Sequence, residues 1–177
     1  MTCIVGIMDK GKVIIGGDSA GVSGYDLTVR ADEKVFVNGE FIFGFTSSFR
    51  MGQLLRYRFK PPFHRPDVSI DEYMATDFVD SIRKCLKDGG FAKVENGEES
   101  GGTFLVGYRG QLFRIDSDYQ VGKPLNGFDA VGCGELIARG ALYATIDRPP
   151  NERLRIALEA AEEFSAGVRR PFVIKEI

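Results

Sequence analysis

The chain has 177 residues, 44% of them hydrophobic and 27% charged, with a formal net charge of −2. That is length for one domain with a full core, and its near-balanced, scattered charge gives no electrostatic case for nucleic acid or an acidic membrane. No apolar run nears the ~20 residues a bilayer span needs, the start lacks a signal-like basic region, and Cys3, Cys85 and Cys133 are too few and too scattered for a disulfide scaffold, which fits a reducing, cytoplasmic setting.

In chain order, the first half reads as strands. Cys3 to Met8 is apolar, Asp9-Lys10-Gly11-Lys12 is a turn signal, and Val13-Ile14-Ile15 resumes a strand that runs into Gly16-Gly17-Asp18-Ser19. Tyr25 to Arg30 is a short β candidate. Lys34 to Val37 and Glu40 to Phe43 flank Asn38-Gly39, which predicts a hairpin with a type I′ turn. Phe49 to Phe59 reads as a helix with Arg50, Arg56, Arg58 and Lys60 on its polar side, stopped by Pro61-Pro62. Ser69-Ile70-Asp71-Glu72 is a capping box, and Ile70, Met74, Phe78, Ile82 and Leu86 then form one apolar stripe up to Gly89-Gly90. Val94 to Ser100 is polar and reads as a loop. Thr103 to Tyr108 and Gln111 to Ile115 form a hairpin around Arg109-Gly110, and Phe128 to Val131 is another strand. A third helix opens at Gly132-Cys133-Gly134 and runs through Ile146. A fourth, Asn151 to about Phe164, buries Leu154, Ala157, Leu158 and Ala161, and Pro171 to Ile177 closes as a strand. With no linker or repeat, residues 1–177 are expected to form one α+β domain: a four-layer αββα sandwich of two mainly antiparallel sheets flanked by helix pairs.

The candidate chemistry begins at Thr2. Removal of Met1 would give a threonine carrying a hydroxyl nucleophile and a free α-amine of reference pKa about 7.7–8.0, a base on the same residue. Thr in second place is equally what ordinary methionine removal favours. A hairpin through Asp9 to Lys12 brings Asp18 back towards residue 2. Asp18 is then either a strand-end turn residue or part of an inward ion pair with Lys34, itself otherwise a solvated charge between Glu33 and Val35. Other chemistries find little support. The single histidine, His64, sits in a Pro-rich stretch without a partner motif, the cysteines lack zinc spacing, and neither a P-loop nor a dinucleotide fingerprint is present. No metal or cofactor is expected.

Thr2-Cys3-Ile4-Val5-Gly6-Ile7, Val13-Ile14-Ile15-Gly16-Gly17-Asp18 and Ala31-Asp32-Glu33-Lys34-Val35 together resemble the β-type proteasome subunits, nearest to their bacterial form, the HslV peptidases, within the N-terminal nucleophile hydrolases. The likeness continues in Phe43-Gly44-Phe45-Thr46, in Phe104 to Phe113, in Ala130-Val131-Gly132-Cys133-Gly134 and in the last helix. It implies Thr2 as nucleophile with its own amine as base, Lys34 as the tuning cation, Asp18 holding Lys34, and the Gly44 N–H as oxyanion donor, with glycine required for close approach by substrate. Cys133 falls where the family has a serine near that amine. Gly21, Asp32, Ile42 and Thr46 align with positions lining the specificity pocket, where Asp32 would favour a basic or polar substrate side chain. The resemblance further implies a threonine endopeptidase acting on peptides or unfolded proteins, a homo-oligomeric ring, and a separate AAA+ unfoldase. Two alternatives are a catalytically silent assembly subunit of the same fold and a small-amide hydrolase.

Overall fold

In the computed structural model, which describes residues 1–177, strands and helices alternate in blocks. The chain opens with β1 (Cys3–Asp9) and β2 (Lys12–Gly17), a short hairpin of β3 (Ala20–Ser23) and β4 (Asp26–Val29), and a second hairpin of β5 (Val35–Asn38) and β6 (Phe41–Phe45). Helix α1 (Phe49–Gln53) runs into a π-helical turn, Leu54–Arg58. Helix α2 (Ile70–Tyr73) likewise passes through a π turn, Met74–Phe78, into α3 (Val79–Asp88). Then come β7 (Lys93–Glu95), β8 (Glu98–Ser100), β9 (Phe104–Tyr108), β10 (Gln111–Ile115), β11 (Val121–Gly122) and β12 (Phe128–Gly132). Helices α4 (Glu135–Ala144) and α5 (Pro150–Phe164) and strand β13 (Val173–Glu176) complete the chain.

Two sheets carry the molecule, one of four strands in the order β12-β1-β2-β13 and one of five in the order β11-β10-β9-β6-β5, with every pairing antiparallel. The period-two alternation of side chains sorts the apolar residues into three clusters. Phe41, Phe43 and Phe45 of β6 join Phe104, Val106 and Tyr108 of β9 under Met74, Phe78, Ile82 and Leu86 of the first helical block. Cys3, Val5 and Ile7 of β1 meet Leu154, Ala157, Leu158 and Ala161 of α5 and Ala138 and Leu142 of α4. Ile4, Val13 and Ile15 of one sheet meet Ile42, Leu105 and Leu112 of the other. The stripe expected from Ile70 onward is buried from Met74 to Leu86, whereas Ile70 itself is half-buried, capped by Ser69, whose Oγ accepts the Glu72 N–H.

Three local readings change. Asn38 belongs to β5 opposite Phe41, so the turn is Gly39-Glu40, with positive φ at Gly39 alone, as in a type II′ and not a type I′ turn. The polar segment expected as a loop is the β7–β8 hairpin, and its Asn96-Gly97 has positive φ at both residues, the type I′ signature. The third helix starts at Glu135 rather than in the Gly132 to Gly134 bend, because Gly132 has φ +105 and lies against the Thr2 carbonyl.

Candidate active site

Three strand ends converge on Thr2. Thr2 immediately precedes β1, Asp18 follows β2, and Lys34 precedes β5. The β1–β2 register places Ile4 opposite Gly17, and the Asp18 N–H donates to the Cys3 carbonyl at 3.3 Å, which sets Asp18 beside the start of β1. Lys34 Nζ donates to Thr2 Oγ1 and to Asp18 Oδ1, each at 2.8 Å. Asp18 also accepts three backbone N–H groups, from Cys3 at 3.0 Å, Ala20 at 2.8 Å and Arg169 at 3.2 Å, so its orientation is fixed by β1, the β2–β3 link and the segment before β13. All three side chains are buried, the Lys34–Asp18 pair almost completely.

Burial holds the Lys34 ammonium below its ordinary range, and the Asp18 charge partly restores it. A buried ammonium in contact with a hydroxyl stabilises the alkoxide form of that oxygen, because it supplies a charge and a hydrogen bond where water cannot screen them. The Thr2 N–H donates to Cys133 Sγ at 3.2 Å, and the thiol returns a hydrogen bond to the Thr2 carbonyl at 3.4 Å. Ser165 Oγ lies 3.3 Å from the same sulfur. Cys133 is exposed, while Cys3, one residue from Thr2, has a thiol that burial pushes far up and keeps protonated and inert. With Met1 attached, Thr2 N is an amide without a basic lone pair. The Met1 carbonyl accepts the Thr2 hydroxyl, and the Met1 side chain reaches the Gly167 backbone.

A pocket of about 60 Å³ opens beside Thr2, walled by Val22, Phe45, Thr46, Ser47, Ser48 and Phe49 as well as Met1 and Lys34. Thr46 lines this pocket, and Gly21 precedes its Val22 wall. Ile42 does not, because it is wholly buried between the two sheets. Asp32 lies elsewhere: Arg30 clasps it through two 2.7 Å hydrogen bonds, and it lines a separate cavity of about 70 Å³. Its charge is thus already matched.

Gly44 also needs a different explanation. It sits inside β6, paired with Val35 and Leu105, and a Cβ there would come 2.4 Å from Ile4 Cγ2 and 2.7 Å from Ile15 Cγ2. Glycine at 44 lets the sheets meet; it does not open a path for substrate. Sequence reasoning missed a residue whose backbone N–H is left free at the pocket. Ser47 borders the Thr2 pocket, its backbone N–H has no hydrogen-bond partner in the chain, and it holds φ +62, a strained value for a non-glycine residue. Its own Oγ accepts the Thr103 N–H at 3.0 Å and anchors the bend. Only the Thr46-Ser47-Ser48 interruption between strand and helix, with Ser48 capping α1, signals such a bend in the sequence.

No cluster of three or more His, Cys, Asp and Glu side chains with metal-site geometry occurs, and no helix is long and apolar enough to cross a membrane. No protein-family profile matches the sequence, and no curated protein matches it significantly. Solved structures do. BPH from Thiobacillus denitrificans, in complex with epoxomicin, superposes with a TM-score of 0.79 at 20% identity, covering 99% of this chain and 98% of that one. HslV from Trypanosoma brucei gives 0.69 at 17% identity over 99% and 98% of the two chains. Anbu, an ancestral beta-subunit from Yersinia bercovieri, gives 0.68 at 14% identity over 99% of this chain and 81% of that one. The chain has the fold of the proteasome-like N-terminal nucleophile hydrolases.

Proposed function

We propose that the protein is a threonine peptidase whose nucleophile is Thr2 once Met1 is removed. One observation carries this reading: a buried ammonium, Lys34, bonded at once to the Thr2 hydroxyl and to a carboxylate that three backbone amides immobilise. A surface threonine and a surface lysine have no need of such a frame. On this reading Thr2 Oγ1 attacks the substrate carbonyl and its proton passes to the α-amine. The resulting oxyanion is met by a backbone N–H, for which Ser47 is the candidate in place of Gly44. The protonated amine then delivers the proton to the leaving nitrogen, and water clears the ester on Thr2. Cys133, beside the amine, orients it with a weaker hydrogen bond than a hydroxyl would give.

We read the three apolar clusters as the interfaces of a four-layer αββα sandwich formed by a single domain over residues 1–177. The protein then works in the cytoplasm on unfolded polypeptide, as a homo-oligomeric ring served by a separate ATP-driven unfoldase. The rival reading is a silent assembly subunit in which Met1 is never removed, so that the nitrogen that would act as base stays an amide.

Intact mass before and after epoxomicin treatment separates the two. Loss of one methionine, followed by an adduct mapped to residue 2 and absent from Thr2→Ala, is the expected result. Retention of Met1 with no adduct in the purified, assembled protein refutes the peptidase reading.

A further inference from the structure

The pocket beside Thr2 and the cavity beside Asp32 share two walls, Phe45 and Phe49. Each is far smaller than the ~300–1,000 Å³ of a cleft that takes a drug-sized ligand, the one beside Thr2 with Met1 still among its walls. The Phe49 ring is held in this position from outside. The Arg30 guanidinium lies 3.8 Å above its centroid, and that guanidinium is itself fixed by the paired bonds to Asp32. Phe45 meets Phe49 in a T-shaped pair with 5.7 Å between centroids. Phe49 is thus in contact with both an aromatic ring and an anchored cation, which hold it as a shared wall of the two cavities.

Building on the peptidase reading, we infer that Arg30 is a specificity-determining residue: by pinning Phe49 it limits the residue on the acyl side of the cleaved bond to small apolar side chains. Val22, Phe45 and Phe49 supply the apolar walls and Thr46 and Ser47 the short polar ones. Behind Phe49, the second cavity offers Tyr57 and Gln53, while its carboxylates are already engaged, Asp32 by Arg30 and Glu33 by Lys175 and Arg56. Release of Phe49 would therefore add room for a longer or aromatic side chain and, as long as Arg30 stays on Asp32, would not create a site for a basic one. Arg30 holds a wall in place and touches no reacting atom.

The test compares wild type, Arg30→Met and Phe49→Ala, each with mature Thr2, on fluorogenic peptides that differ only in Ala, Val, Leu, Phe or Arg at the acyl-side residue. The expected result is preference for Ala and Val in wild type and a rise of at least tenfold in the Phe-to-Ala ratio of kcat/KM in both variants, with no gain for Arg in Phe49→Ala, where Arg30 still holds Asp32. A shift in Phe49→Ala alone overturns the role of Arg30, and a shift in neither overturns the divided pocket. Crystal structures of the same variants give a readout independent of turnover. A displaced Phe49 ring and a merged cavity in Arg30→Met support this pinning even if no peptide is cleaved, and an unmoved ring refutes it. Failure of the peptidase reading is seen separately, as absence of an epoxomicin adduct at residue 2.

Discussion

At the scale of single residues, Lys34 carries the most consequence. Burial depresses its pKa, so the unfolded chain binds the proton more readily than the folded one, and stability should climb as pH rises towards the ordinary lysine value. That gain is lost as pH falls through the lower folded value. Lys34→Met should abolish the alkaline climb and, by leaving Asp18 buried without its cation, cost about 3 kcal/mol at neutral pH. Urea unfolding of both proteins at several pH values between 7 and 10 measures both effects, and a parallel pair of curves would show that Lys34 does not titrate this way. Gly44 makes a sharper steric case. Gly44→Ala drives a methyl into Ile4 and Ile15, both fully buried, and should destabilise by roughly 1–3 kcal/mol as an overpacked seam does. Chemical denaturation decides it. A neutral result would mean that the sheets can part and would reopen the glycine's assignment. The resemblance singled out Gly44 for close approach by substrate, and the pattern could not correct it: alternation along Phe41 to Phe45 fixes that residues 42 and 44 share a face, not which of two faces is the seam. Ile42, carried to the pocket by resemblance alone, lies on that same seam.

At the scale of elements, what was legible followed from turn chemistry and apolar period. Strands β1, β2, β9 and β10 and helix α5 are apolar patterns closed by glycine or proline, and such patterns speak from short range. What was not legible depends on distant partners. The β7–β8 hairpin carries Lys93, Glu95, Glu98 and Glu99, a poor strand composition, and its place against α3 is set by Glu99, which bonds Arg83 Nε at 2.6 Å and Lys87 Nζ at 2.7 Å. Those two bonds hold the Glu99 carboxyl down to about 2. With a folded value below the unfolded one, the clasp is complete above the ordinary glutamate range and is lost only as pH falls through about 2. Carboxyl NMR shifts should place the Glu99 midpoint well below those of the other glutamates. In Glu99→Gln, amide exchange of the hairpin should quicken while that of β9 stays unchanged. An ordinary Glu99 midpoint would mean that the hairpin is held by other contacts. Ser47 lay beyond sequence reading for a related reason: positive φ at a serine is imposed by the Thr103 N–H from β9's leading edge, 56 residues away.

At the scale of the molecule, the candidate site exists because separate strands end at one place: β1 brings Thr2, β2 brings Asp18 and β5 brings Lys34, drawn from both sheets. The segment before β13 contributes the Arg169 N–H, and the bend before α4 contributes Cys133. A site assembled this way is rigid only if the sheets keep their registry, which places weight on whatever braces the outer faces. One outer face is conspicuously unfinished. Leu136 and Tyr143 stand 75% and 69% exposed, seven residues apart on α4 and so on one side of it, with Ile146 at 56% just beyond. Apolar groups aligned in this way, rather than scattered, mark an association surface. The ring assembly proposed above would cover them. Native mass spectrometry and light scattering at micromolar protein should therefore give a closed multiple of the chain mass for wild type and a smaller species for Leu136→Glu/Tyr143→Glu. Circular dichroism and urea midpoint of the variant should stay close to wild type, because neither side chain belongs to a buried cluster. A wild-type mass equal to one chain would remove the ring, and with it the enclosed chamber, while leaving the Thr2, Lys34 and Asp18 geometry as it stands. An assembled variant would shift the contact to another surface, the exposed β3–β4 hairpin with Tyr25, Leu27 and Val29 being the next to test.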